Sequence, residues 1–365
     1  MKMWKLISIS FLLLNLAQAR EFLAIQKSPR GILMGDAYLT LADDSYALFY
    51  NPALMGRHSG FSMYPFNPTV SLINPIEYSD QIDGMETIGD QPSEIVAQFS
   101  GVPLHFGASM APGFKLGRFG FSLVANSHTN LQVLNDTHPM LDIQHKYDRG
   151  FTMGYASKLS NHLSLGVAAK YIRRQGLDTI TPVFSREVID AIGQNPEGFN
   201  DLLRSLGMDE GRAWGFDMGL DYHAKRGAGD FSMGFVVQDI VDTKFQKGNG
   251  VDAEVPVQKM NMAFGASLKQ DFKLIDFTLS GEISHLNQRV DFKRRLHLGF
   301  EVGLPLLRVI AGYNGGYLSY GGEFDLGLID VYLGLYEVEI GESYKQHSSK
   351  RAIIYFSLFD FHFDV

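Results

Sequence analysis

The sequence predicts an all-β protein: a transmembrane antiparallel β-barrel of about fourteen strands, with an N-terminal segment that is not strand-like and short helical insertions. Three observations predict it. Segments of roughly 9–13 residues alternate between apolar and small or polar side chains, the length a tilted strand needs to cross a bilayer. The chain of 365 residues is 12% aromatic, holds 38 glycines and lacks cysteine, a composition suited to an exported β-protein. Beyond the first twenty residues, no stretch approaches eighteen consecutive apolar residues, so no membrane-spanning helix is expected.

The elements follow in order. MKMWK is a short basic region, LISISFLLLNLA an apolar core, and Ala17-Gln18-Ala19 an A-x-A cleavage site, so residues 1–19 read as a secretory signal peptide. No cysteine follows it, which excludes a lipoprotein, a disulfide framework and a Cys-based metal site. Residues 20–58 precede the first strand, and residues 59–365 form the barrel. Strands are expected at 59–73, 103–112, 117–127, 144–157, 162–174, 212–223, 230–238, 257–269, 273–286, 293–303, 305–313, 317–326, 329–338 and 351–363. Helical insertions are expected near 76–100 and 183–209. In the second, Phe199, Leu202, Leu203 and Leu206 make an apolar stripe at helical spacing.

The clearest strand is Ala213–His223. Trp214, Phe216, Met218, Leu220 and Tyr222 share one face; Asp217, Asp221 and two glycines share the other. In a soluble sandwich the apolar faces would meet in a core. Fourteen such aromatic faces are more simply explained by a lipid-facing band, with outer-membrane lipid as the partner. The opposite faces then line the lumen. They carry charges of both signs, and Asp217, Asp221, Glu282, Arg295, Glu301, Arg308 and Glu323 are expected to form a lumenal ion-pair network. In the last strand Ile353, Tyr355, Phe359, Phe361 and Phe363 are expected to share the lipid face. With a periplasmic N-terminus, both long insertions follow odd-numbered strands and fall on the extracellular side.

The stretch Leu41–Gly56, LADDSYALFYNPALMG, is the most specific motif. Asp43 or Asp44 can cap a short helix by accepting its free backbone N–H groups. Phe49 and Tyr50 are available for packing, and Pro52 biases Asn51 out of helical conformation and ends the element. Asn51 can also bond locally through its side chain. Residues 30–56 resemble the N-terminal segment of the FadL/TodX superfamily of outer-membrane transport barrels. The match is Gly35, Ala42, Asp43, Asp44, Ala47, Asn51, Pro52, Ala53 and Leu54. The glycine-rich run YNGGYLSYGGEFDLG is closest in style to the PorV/TraF-like branch. The resemblance implies that this segment folds inward and plugs the barrel as a hatch.

No enzyme motif is present: there is no G-x-S-x-G, H-E-x-x-H or P-loop. No cofactor or metal is indicated, since the spacing of His138, Asp142 and His145 fits no standard ligand pattern. The net charge of −8 argues against a nucleic-acid partner. The resemblance implies uptake of hydrophobic small molecules, fatty acids or aromatic hydrocarbons, past the hatch, with Phe49, Tyr50 and Leu54 near the ligand. Its PorV-like branch implies the alternative of a docking barrel with a secretion or envelope protein partner.

Overall fold

The computed structural model describes residues 21–84, 100–134, 138–183, 203–327 and 329–363. Residues 1–19, expected to be a signal peptide, and parts of both insertions, including Phe199 and Leu202, lie outside the described residues. Among those described, no helix is long and apolar enough to cross a membrane.

The strands are β1 (Phe61–Tyr64), β2 (Pro68–Ile73), β3 (Leu104–Met110), β4 (Gly113–Leu116), β5 (Phe119–Leu134), β6 (Met140–Lys158), β7 (Leu163–Pro182), β8 (Asp209–Arg226) and β9 (Gly229–Gln238). They continue as β10 (Asn261–Asp271), β11 (Asp276–Ile283), β12 (Leu296–Gly303), β13 (Leu307–Asn314), β14 (Tyr317–Asp325), β15 (Ile329–Glu339), β16 (Ser348–Leu358) and β17 (Phe361–Phe363). Each pairs antiparallel with its neighbour, and β16 closes the ring on β2 through Arg351↔Ile73 to Tyr355↔Thr69. Three strands are bent. The halves β1 and β2, β3 and β4, and β16 and β17 each run as one barrel strand, so the seventeen segments make a closed barrel of fourteen.

The bends have local causes. Pro65 and Pro112 stand in two of the breaks, where a residue without an N–H ends a ladder. Phe359 sits in the third with a left-handed φ of 61°. Asn67 bridges the gap the prolines leave. Its amide donates to the Ala111 carbonyl and its oxygen accepts from the Ala111 N–H, both at 2.9 Å, replacing a lost backbone pair.

All fourteen expected strands are present. Strands β5, β6 and β7 run further than the alternation suggests, to residues 134, 140 and 182 at their longer-loop ends, and residues 293–295 belong to a 3-10 turn, Phe292–Arg295. One expected face is wrong. Ile353 and Tyr355 are buried inward while Ile354 and Phe356 face out; Phe361 and Phe363 do face out. The positive-φ break at Phe359 inserts a step that reverses the alternation between β16 and β17, which a period of two read straight through cannot see. Elsewhere the outer face is as expected: Trp214, Phe216, Met218, Leu220 and Tyr222 are exposed, and Ala213, Asp217 and Asp221 are buried.

Candidate functional site: the lumen and its N-terminal segment

Residues 21–58 run through the barrel interior. A short helix, Pro29–Leu33, begins with proline at its first turn, where a missing N–H costs nothing. Leu33, Met34, Tyr38, Ala53 and Met55 are fully buried or nearly so. The acidic cassette builds the next turn. Asp44 Oδ1 accepts the Tyr46 N–H at 2.8 Å, and Oδ2 accepts the hydroxyls of Ser28 and Tyr38, each at 3.1 Å. Burial, then the neighbouring Asp43, push the Asp44 carboxyl above its ordinary range. Of the two aspartates, Asp44 therefore organises the turn. Asp43 points its carboxylate toward water, and its carbonyl accepts from Lys115 of β4.

The helix Ala47–Tyr50 is a single turn. Asn51 is extended, as a residue before proline should be, and Pro52 opens a 3-10 helix, Pro52–Gly56. Asn51 is fully buried and bonds in two directions. Its Oδ1 accepts the Ala53 N–H at 3.0 Å, and its Nδ2 donates to the Leu220 carbonyl of β8 at 3.1 Å. The Asn-Pro-Ala stretch thus ends one helix, caps another and ties both to the wall.

The wall is shaped to receive this backbone. A Cβ at Gly166 would overlap the backbone of Pro52 and Ala53; one at Gly219 would overlap the Asn51 side chain. At Gly312 it would meet the backbone of Met34 and Gly35. Glycines at inward positions let the segment lie directly on the sheet.

Ion pairs complete the contact. Glu301 of β12 is fully buried and accepts a two-pronged interaction from Arg30, Nε at 2.7 Å and Nη2 at 2.8 Å. Arg308 of β13 also donates to Glu301 and reaches Glu323 of β14 at 2.9 Å. Asp221 of β8 receives Arg57 at 2.7 Å and 2.5 Å. Asp217 pairs with Lys170 of β7 at 2.8 Å, and Lys170 also reaches Asp239 at 3.0 Å. Glu282 of β11 accepts the Leu39 N–H at 3.1 Å. Of the seven residues expected in a lumenal network, the structure brings Glu301, Arg308 and Glu323 together. It sets Asp217, Asp221 and Glu282 at separate inward points. Arg295 does not join them: it lies in the 3-10 turn and donates to the carbonyls of Gln288 and Val290, both at 2.7 Å. The alternation was extended three residues past the true start of β12, which put Arg295 on a lumenal face it does not occupy.

The sequence reading missed the partners supplied by the segment itself: Arg30, Arg57 and Glu21. Glu21 receives Arg351 of β16 at 2.7 Å and 2.9 Å. It also missed the buried pair of Arg174 and Asp148, at 2.6 Å and 2.8 Å. The available signal was that lone inward acids need cations, and a segment placed in the lumen carries them.

Above the segment, toward the rim with the longer connections, lies a cavity of about 960 Å³. Residues 21–27 of the segment, with Leu39, Phe49 and Tyr50, bound one side; Lys170, Val236, Gln238, Glu282 and His285 bound the wall side. Phe49 and Tyr50 therefore line it. Leu54 does not: it packs below, with Tyr38, Leu48 and Ala156. Phe22 stacks on His285 at 3.8 Å between ring centres. Burial, and next to it His297, hold the His285 imidazole down to about 3, so it is neutral at physiological pH.

No family model and no curated protein matches the chain. Solved structures do. The ΔS2S3 mutant of the TodX monoaromatic hydrocarbon channel aligns with a TM-score of 0.53 at 12% identity, over 91% of this chain and 99% of that one. The ΔS2 mutant aligns at 0.50 and 12%, over 92% and 99%. The Pseudomonas putida toluene transporter TodX aligns at 0.49 and 10%, over 91% and 98%. The expected affinity to the PorV/TraF-like branch finds no support in these likenesses. In fold, across nearly its whole length, the chain is similar to the TodX hydrocarbon channels.

Proposed function

We propose that this protein is an outer-membrane channel for uptake of hydrophobic small molecules, with residues 20–58 as its plug. The observation that carries the reading is the relation of segment to wall. A closed barrel with an apolar outer face holds its own N-terminal segment across the lumen, and the two together enclose a cavity lined by Phe49 and Tyr50. An open aqueous pore would need neither feature. The similar structures are named as hydrocarbon channels, which agrees with this reading.

Transport requires the plug to yield. Its attachment is polar and distributed, through Arg30, Arg57, Asn51 and Glu21, so local rearrangement can open a path without unfolding the barrel. Thr40 and Ser267 of β10 face each other across this boundary with hydroxyls 2.8 Å apart. The chain has no cysteine, so Thr40→Cys with Ser267→Cys places one disulfide between plug and wall. Whole-cell uptake of a radiolabelled alkylbenzene or alkylphenol should fall at least tenfold on oxidation and recover with a reductant. Uptake of both no faster than in cells lacking the protein would sink the channel reading.

A further inference from the structure

We infer that the cavity ligand is an uncharged amphiphile bearing a hydroxyl group, selected by Glu282 and Gln26, rather than a bare hydrocarbon. This rests on the channel reading and narrows its substrate class.

The polar wall of the cavity is unevenly satisfied. Among the described residues, the buried cations of the lining are already engaged: Lys170 with Asp217 and Asp239, Arg174 and Lys146 with Asp148, and Arg294 with the carbonyls of Gly341 and Glu342. The half-buried Lys27 pairs with Asp36 at 2.7 Å. Glu282 differs. It lines the cavity, is buried, and among the described residues has no cation within ion-pair distance. Its bonded partners are the backbone N–H groups of Leu39 and Tyr38, and a carboxyl group with two oxygens has acceptor capacity beyond these.

Gln26 lines the same cavity. It is 2% exposed, and neither its amide nitrogen nor its amide oxygen has a partner. Leaving buried polar groups unmade is costly, so groups gathered on one cavity mark where a ligand supplies the bonds. A hydroxyl is both donor and acceptor, and it complements a carboxyl and an amide without adding charge. The lining is mixed, and its apolar part, with Leu39, Phe49 and Val236, suits the apolar body of such a molecule. At about 960 Å³ the space is at the upper end for a drug-sized ligand and large for a single ring.

The test is a matched pair, 4-nonylphenol and nonylbenzene, which differ by one hydroxyl. Equilibrium dialysis against the protein in amphipol, with mass-spectrometric quantitation, gives both affinities. The phenol should bind at least tenfold more tightly. Glu282→Leu and Gln26→Leu, each checked for an intact barrel by heat-modifiable gel mobility, should reduce that ratio to about twofold while nonylbenzene binding persists. Equal affinities in the unaltered protein, or a ratio unmoved in both variants, would overturn the inference and leave the channel reading standing. Binding of neither compound would overturn both.

Discussion

Glu301→Ala removes a lumenal carboxylate that joins the N-terminal segment to the wall. Glu301 is fully buried and takes two bonds from Arg30 and one from Arg308. The two cations fare differently without it. Arg308 keeps Glu323 at 2.9 Å and Asp276 at 3.4 Å, so its charge stays compensated. Among the described residues, Arg30 keeps Asp43 at 3.3 Å, whose side chain is 75% exposed, and the face of Tyr38 at 5.6 Å. Stranding a buried charge costs about 3–5 kcal/mol, and partial compensation puts this case near the lower bound, at about 3 kcal/mol. Arg30→Met should cost a similar amount, since it strands Glu301 with Arg308 alone. The double variant should be less destabilised than the sum of the two, by about 2 kcal/mol, because removing one partner already forfeits the pair. Urea unfolding in detergent micelles, at constant slope, measures all three. Additivity within about 0.5 kcal/mol would refute the direct coupling of plug to wall at this point.

Other outcomes are expected. Gly166→Ala forces a methyl into the backbone of Pro52 and Ala53; the barrel should still form, while a cysteine at position 49 becomes labelled several-fold faster than in the parent. Unchanged labelling would show that the Asn-Pro-Ala stretch does not depend on that approach. Asn51→Asp keeps the acceptor for Ala53 but loses the donor to Leu220, and should lower stability by about 1–3 kcal/mol in the same urea assay. Burial pushes the Glu21 carboxyl up, but Arg351 and His128 outweigh it and hold it well below its usual range. A lowered folded value means the contribution is complete above the ordinary glutamate range and is lost as pH falls through the folded value. Labelling of a cysteine at position 23 should therefore stay slow from about pH 8 to about pH 5 and accelerate only in stronger acid. Release near pH 6 would contradict this.

How much was legible in the sequence follows from the range of each interaction. Alternation is local. It gave Trp214, Phe216 and Met218 an outward face and Asp217 and Asp221 an inward one, because successive side chains on a strand point to opposite sides. The same rule failed where the local geometry breaks: at Phe359, whose positive φ shifts the phase, and at Arg295, which lies beyond the end of its strand. The Asn-Pro-Ala turn was also readable, since proline restricts the residue before it whatever surrounds the pair.

Partnership is not local. Arg30 meets Glu301 across 271 positions of chain, and Arg57 meets Asp221 across 164. No spacing rule links them; the closed ring and the path of the segment inside it do. The same holds for the cavity. Gln26 and Glu282 are ordinary residues in the sequence, and only the packed lumen leaves the Gln26 amide unpartnered on the cavity that Glu282 also lines. By itself the sequence determined the fold class and which face of most strands points outward, because alternation acts between adjacent residues. The tertiary structure alone decided what the inward face holds, because buried charges and close backbone contacts are settled by which strands the barrel brings round to the segment.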